Sequence, residues 1–237
     1  MKILITLCAR GGSKGIPGKN IRLIGGEPLI SYSIRHAKEF SKIYQTDIAL
    51  STDSIEIKNI AENFGIKTEY VRPQNLATDK AGKVETILHV LEYEETTRNV
   101  KYDFVLDLDV SSPLRCLDDL KLAFLQILAD KEAFNIFSVN KANRNPYFNM
   151  VEQQSNGYYS LVKKGNFLTR QSAPKVFELN ASFYIFRRSL FDMKCTSTIG
   201  EKSLIYEMPH ICFDLDHKVD FDFMEFLIHN KSLDFTI

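Results

Sequence analysis

Two hydrophobic periods take turns along the first 140 residues. Short apolar runs, ILITLCA (3–9), DIALSTD (47–53), KTEYV (67–71), DFVLDLD (103–109) and FNIFSVN (134–140), have the length and composition of buried strands. Between them, Ile30/Ile34/Ala37, Ile57/Ile60/Ala61/Phe64, Val84/Ile87/Leu88/Leu91 and Leu117/Leu120/Phe124/Leu128 place apolar side chains on one face at helical spacing. Pro28 suits a first helical turn, and Asp53 followed by Glu56 predicts a capping box. Strands alternating with helices imply right-handed crossovers and a parallel sheet covered by helices on both faces.

The pattern breaks near Asn143. From 143 to 179 the chain is polar, turn-rich and irregular, with hairpin-like alternation in places and no helical period. Its aromatic and apolar side chains, Tyr147, Phe148, Met150, Tyr158, Tyr159 and Phe167, need a surface to pack on, which suits a protruding oligomerisation arm better than a disordered linker. ASFYIFRR (181–188) and HICFDLD (210–216) then read as strands, and VDFDFMEFLIHN (219–230) as a closing helix. The expected organisation is one domain, 1–237, with 143–179 inserted as the arm.

Charge adds an exclusion. Thirty Lys and Arg balance thirty Asp and Glu, so a general nucleic-acid or membrane-surface binder is not expected, and any positive patch must be local. The 44% apolar and 25% charged content is that of a soluble globular protein. Cys8, Cys116, Cys195 and Cys212 lie far apart without a CxxC spacing and read as free thiols in a reducing compartment. No apolar run approaches the roughly 20 residues of a membrane span, and ILITLCA is too short for a signal peptide. A cytoplasmic protein is expected.

The local positive patch is ARGGSKGIPGKN (9–20), directly after the first strand, where open parallel sheets bind ligands. Neither GxGxxG nor GxxxxGK[ST] occurs in it. Its glycines let backbone N–H groups approach an anion closely, while Arg10, Lys14 and Lys19 can neutralise a triphosphate. Two DLD tripeptides, 107–109 and 214–216, form a second signal. In a strand, residues i and i+2 share a face, so Asp107 can align with Asp109, and Asp214 with Asp216. Paired carboxylates beside a polyphosphate loop suit Mg²⁺. Asp220 and Asp222 fit the start of the last helix instead. The five histidines show no ligand spacing, and no GxSxG elbow or Cys/His pair points to covalent catalysis.

Taken in order, ARGGSKGIPGKN, STD (51–53), RPQNLATD (72–79), SSPLR (111–115), NASFYI (180–185) and FDLD (213–216) resemble the acylneuraminate cytidylyltransferase family, over essentially the whole chain. The resemblance implies a Rossmann-like nucleotidyltransferase fold and transfer of CMP from CTP to the anomeric hydroxyl of a nonulosonic acid. It also implies Mg²⁺ as cofactor and a homodimer built through the arm. Position by position, it implies that Ala9, Arg10, Gly11, Ser13, Lys14, Lys19, Asn20, Arg72, Ala81 and Gly82 bind the nucleotide, with Arg10, Lys19 and Asp216 serving catalysis. Asp109, Arg170, Asn180 and Tyr184 would meet the sugar, and Asp214 and Asp216 the metal.

Two departures stand out. Asp109 occupies a strand end where sialic acid enzymes commonly carry Gln, and Phe148 a place in the arm where many carry Lys. A carboxylate for an amide and an aromatic for a cation imply a modified acceptor, such as a legionaminic-type acid. The alternatives are a nucleotidyltransferase for another keto acid or another nucleotide, and a non-catalytic nucleotide-binding module.

Overall fold

A computed structural model describes residues 1–13, 15–193 and 195–237. Strands β1 (Ile3–Cys8), β2 (Leu23–Ile24), β3 (Glu27–Pro28), β4 (Thr46–Ser51), β5 (Phe104–Leu108), β6 (Asn135–Lys141), β7 (Val151–Gln153), β8 (Tyr159–Leu161), β9 (Phe177–Arg187) and β10 (Ser203–Glu207) alternate with helices α1 (Leu29–Ser41), α2 (Ile55–Asn63), α3 (Lys83–Arg98), α4 (Leu117–Ala129), α5 (Arg188–Asp192) and α6 (Lys218–His229). The central sheet runs β10-β6-β9-β5-β1-β4. Its neighbours pair in parallel except around β9, which is antiparallel to both β5 and β6.

Strand alternation divides the core into two layers. Ile3, Ile5, Leu7, Leu106, Leu108, Phe183 and Ile185 face one side, packed with Ile30, Phe40, Ile57, Phe124 and Phe221 from α1, α2, α4 and α6. Leu4, Val105, Tyr184 and Phe186 face the other, packed with Val84, Ile87 and Leu91 of α3 and with Leu190 and Phe191 of α5. The result is the expected three-layer α/β/α arrangement with a mostly parallel sheet. Among the described residues no helix is long and apolar enough to cross a membrane. All four cysteines are free.

Three local readings of the sequence change. Residues 67–71 join no sheet; the Arg72 N–H donates to the Thr52 carbonyl at 2.9 Å and holds the segment against the end of β4. Residues 210–216 are not a strand either. Their carbonyls are taken by side chains, Cys212 O by Asn140 Nδ2 at 2.5 Å and Phe213 O by Ser112 Oγ at 3.2 Å, while the Leu215 N–H donates to Ser111 O at 2.7 Å. The last strand is β10, upstream of that segment. Finally, the cap of α2 is Ser54, whose Oγ accepts from the Ile57 N–H, because Asp53 is engaged elsewhere. As expected, Asp220 caps the start of α6, its Oδ2 accepting from the N–H groups of Asp216 at 2.9 Å and His217 at 2.6 Å.

Between 143 and 179 the chain forms a small antiparallel hairpin, β7 with β8, turned at Gly157, whose φ of 86° lies where side chains are disfavoured. Tyr147 and Phe167 meet edge to face at 5.8 Å, but Tyr158, Tyr159 and Leu168 remain exposed.

Candidate active site

At the carboxyl ends of β1 and β5 lies a cavity of about 350 Å³, lined by the loop after β1, the 72–83 segment, Asp109, Ser111 and Asp216. Its geometry begins with the glycine-rich loop. Gly18 has φ 65°, and a Cβ on Gly15 would lie 2.6 Å from the Asp216 carbonyl, so neither position tolerates a side chain without a shift. Asp53 Oδ1 accepts the Gly11 N–H at 2.8 Å, and Asn20 Nδ2 donates to Arg10 O at 2.9 Å. The loop is thereby tied to the end of β4 at one side and closed on itself at the other.

Arg10, Ser13, Lys19 and Asn20 line the cavity. Arg10 pairs with Asp79 at 2.5 Å and Lys19 with Asp216 at 2.9 Å, so both cations are held at the rim by carboxylates that an incoming polyphosphate can displace. Ala9 is fully buried and anchors the loop through its N–H to Ser51 O at 2.9 Å; Gly11 likewise acts from behind the wall. Lys14 lies outside the described residues.

Across the loop stands Arg72, buried, donating from Nε to Ser51 Oγ at 2.9 Å and from Nη2 to Ser51 O at 2.8 Å. Ala81 lines the cavity beside it, and Gly82 is the N-cap of α3. Six of the nucleotide residues expected from the sequence, Arg10, Ser13, Lys19, Asn20, Arg72 and Ala81, therefore share one cavity.

Acidic residues form the far wall. Asp216 lines the cavity; Asp214, two residues earlier and exposed, is not among the lining residues but acts on Asp216 electrostatically. Partial desolvation and Asp216 push the Asp214 carboxyl up, whereas the Lys19 ammonium holds Asp216 down. Asp109 accepts from Ser111 N and Oγ at 2.9 and 2.7 Å on Oδ1, and from Lys83 Nζ at 2.8 Å on Oδ2. Burial works to raise its pKa, but Lys83 and these donors outweigh that and hold it down at about 2. Lys83 also reaches Asp107 Oδ2 at 3.0 Å, so the expected alignment of Asp107 with Asp109 holds.

The expected sugar residues do not all meet here. Tyr184 lies in β9 with its ring 4.9 Å from Lys83 Nζ. Asn180 is buried in a network, Oδ1 accepting from Ser138 Oγ at 2.6 Å and Nδ2 donating to Asn140 Oδ1 at 2.9 Å; it pins the register shift between β6 and β9 and does not line the cavity. Arg170 is exposed on the arm, away from this chain's own cavity. Sequence reasoning passed over Lys83. The signal available was its place immediately after Ala81 and Gly82, at the start of a helix where a cation opposes the dipole.

A mostly parallel α/β/α sheet with a glycine-rich basic loop after its first strand and a carboxylate pair opposite defines a nucleotidyltransferase site. The chain belongs to the cytidylyltransferase family, whose family model matches residues 4–231. It is 41% identical to post-translational flagellin modification protein B of Campylobacter coli, over 98% of this chain and 97% of that one. It is 40% identical to CMP-N,N'-diacetyllegionaminic acid synthase of Campylobacter jejuni subsp. jejuni serotype O:2, again over 98% and 97%. Among solved structures, a CMP:2-keto-3-deoxy-manno-octonic acid synthetase complexed with CTP superposes with a TM-score of 0.69 at 14% identity, over 98% of this chain and 100% of that one, a likeness of fold.

Proposed function

We propose that this enzyme joins CTP to the anomeric hydroxyl of a nonulosonic acid of the legionaminic type, releasing pyrophosphate and forming the CMP-sugar. The observation that carries the reading is the cavity itself, where the loop cations Arg10 and Lys19 line the same space as Asp109 and Asp216. The relative named for CMP-N,N'-diacetyllegionaminic acid, and Asp109 in place of an amide, favour that acceptor class.

Catalysis at such a site is positioning and charge neutralisation. Arg10, Ser13 and Lys19 bind the triphosphate and take up the charge that builds on the departing pyrophosphate. Arg72 and the Ala81–Gly82 turn bound the nucleoside side. The hard oxygen donors of Asp214 and Asp216, near enough for each carboxylate to shift the other's pKa, fit Mg²⁺. When bound, Mg²⁺ would neutralise phosphate charge and lower the pKa of the acceptor hydroxyl. Lys19, paired with Asp216 here, would then be available to the phosphates.

The exposed aromatic and apolar side chains of the arm, Tyr158, Tyr159 and Leu168, support a homodimer in which Arg170 reaches the neighbour's acceptor site and binds its carboxylate. Free thiols and a nucleotide substrate fit the cytoplasm. The test is pyrophosphate release from each of the four nucleoside triphosphates with N,N'-diacetyllegionaminic acid, N-acetylneuraminic acid and an eight-carbon keto acid. Release with CTP and a nine-carbon acid is expected. Preference for another nucleotide or for the eight-carbon acid would overturn the reading.

A further inference from the structure

Lys83 occupies a position that fold stability alone does not explain. It is the first residue of α3, where the helix dipole disfavours a cation, and its ammonium is drawn in between two carboxylates, Asp107 Oδ2 at 3.0 Å and Asp109 Oδ2 at 2.8 Å, above the Tyr184 ring. An apolar residue there would extend the buried face that Val84 and Ile87 begin. Instead the chain assembles a buried ionic cluster beside a cavity, the costly choice where packing is the sole requirement.

Counting donors shows what the cluster offers. Asp107 Oδ1 is taken by Thr6 Oγ1 at 2.7 Å, and Asp109 Oδ1 by Ser111 N and Oγ. The remaining oxygens bind Lys83. An ammonium carries three N–H donors, two of which these carboxylates accept, and Lys83 keeps 29% of its side chain exposed where it lines the cavity. Asp109, which also lines the cavity, is therefore engaged as an anchor, and the donor left over for a ligand there is the third N–H of Lys83. That donor stands over the β5–β9 side of the site, next to Tyr184, while the phosphate-facing cations Arg10 and Lys19 belong to the loop after β1.

We propose that Lys83 is an acceptor-binding residue, presenting its third N–H to an oxygen of the nonulosonic acid, with Asp109 as the positioning residue that aims it. This rests on the reading under Proposed function. The Lys83–Asp109 pair then selects the acid: it offers a fixed, charged donor where an uncharged pair would offer exchangeable amide or hydroxyl contacts.

The test is steady-state kinetics on the full chain with CTP and the acid that the wild type turns over best. Lys83→Met strands two buried carboxylates and can fail to fold, so the deciding variant is the charge-balanced Lys83→Gln/Asp109→Asn, whose amides keep hydrogen bonds to Asp107 and Ser111. For it, the KM for the acid is expected to rise at least about tenfold while the KM for CTP stays within about threefold, and the order of preference among acids changes. An unchanged acid KM, or a CTP KM that rises in step, overturns the proposal. Absence of turnover by the wild type is the failure of the functional reading and shows before any variant is made. In that case calorimetric titration of the acid into CTP-saturated protein decides: binding to the wild type that the double variant loses supports the assignment, and equal or absent binding to both overturns it.

Discussion

Lys19 Nζ lies 2.9 Å from Asp216 Oδ1, an ion pair between residues 197 positions apart that closes the cavity between the glycine-rich loop and the start of α6. The same carboxylate interacts with Asp214, so one contact links the glycine-rich loop to the carboxylate pair proposed to hold Mg²⁺. Asp216→Asn keeps the Lys19 contact through its amide oxygen but removes the charge. Activity at limiting Mg²⁺ is expected to fall at least about tenfold, the scale on which even outer partners of a metal site matter, with partial recovery at high Mg²⁺. Rates measured across a Mg²⁺ series check this; near wild-type activity at the lowest Mg²⁺ would remove Asp216 from the proposed metal site.

Arg72 binds Ser51 with a two-pronged contact that a lysine cannot reproduce. Arg72→Lys is expected to cost about 1–3 kcal/mol by removing two charged donors from buried Ser51, whose carbonyl then keeps the Ala9 N–H. The corresponding drop in melting temperature is about 2–12 °C for a chain of this size. Scanning calorimetry reads that loss, and titration with CTP should show weaker binding in the same variant.

His36 gives the protein an acid limb. It is buried in α1, and desolvation, aided by the nearby Arg115, pushes its pKa down to about 3, so it folds neutral, with Nδ1 lacking a hydrogen-bond partner. The unfolded chain takes up the proton near pH 6.5, so this residue's contribution is intact above that pH. It is lost at up to about 1.4 kcal/mol per unit as pH falls from 6.5 towards 3. His36→Phe should flatten that part of the stability curve without changing it above pH 7. Denaturant titrations at pH 5 and pH 7.5 on both proteins measure the difference.

How much of this is legible in the sequence depends on where each residue's hydrogen bonds go. The apolar run before the glycine-rich loop and the i, i+2 spacing of Asp107 and Asp109 translate directly, because strand alternation carries them. Residues 67–71 and 210–216 alternate as well, yet their backbone groups are satisfied by single loop and side-chain partners, such as Asn140 on Cys212 O, which leave no pattern in the chain. Asp53 reads as a cap from its neighbours alone, but its partner, the Gly11 N–H, is 42 residues away. Asn180 and Lys83 are the same lesson in opposite directions. A motif places Asn180 at the sugar, whereas Ser138 and Asn140 claim its amide; Lys83 carries in the chain only the mark of a cation opening a helix, until the end of β5 puts two carboxylates around it.

Arg170 tests the arm. If it serves the neighbour's site, mixing Arg170→Ala chains with Asp216→Asn chains creates heterodimers in which one site has an intact Asp216 and an intact Arg170. At limiting Mg²⁺ each variant alone is expected to be at least about tenfold less active than the wild type and the mixture to regain activity after subunit exchange. If Arg170 works in its own chain, every site in the mixture is defective and no activity returns. Sedimentation of the wild type, expected to run as a dimer, accompanies the assay.

The most direct measurement of the central claim follows one oxygen atom. The acid, labelled with ¹⁸O at its anomeric hydroxyl, is incubated with CTP, Mg²⁺ and the enzyme, and the products are weighed by mass spectrometry. Attack of that hydroxyl on the α-phosphorus predicts a labelled CMP-sugar and unlabelled pyrophosphate in equal amounts. CTP bound without pyrophosphate release from any acid, or a CMP-sugar from which the label is missing, would contradict it.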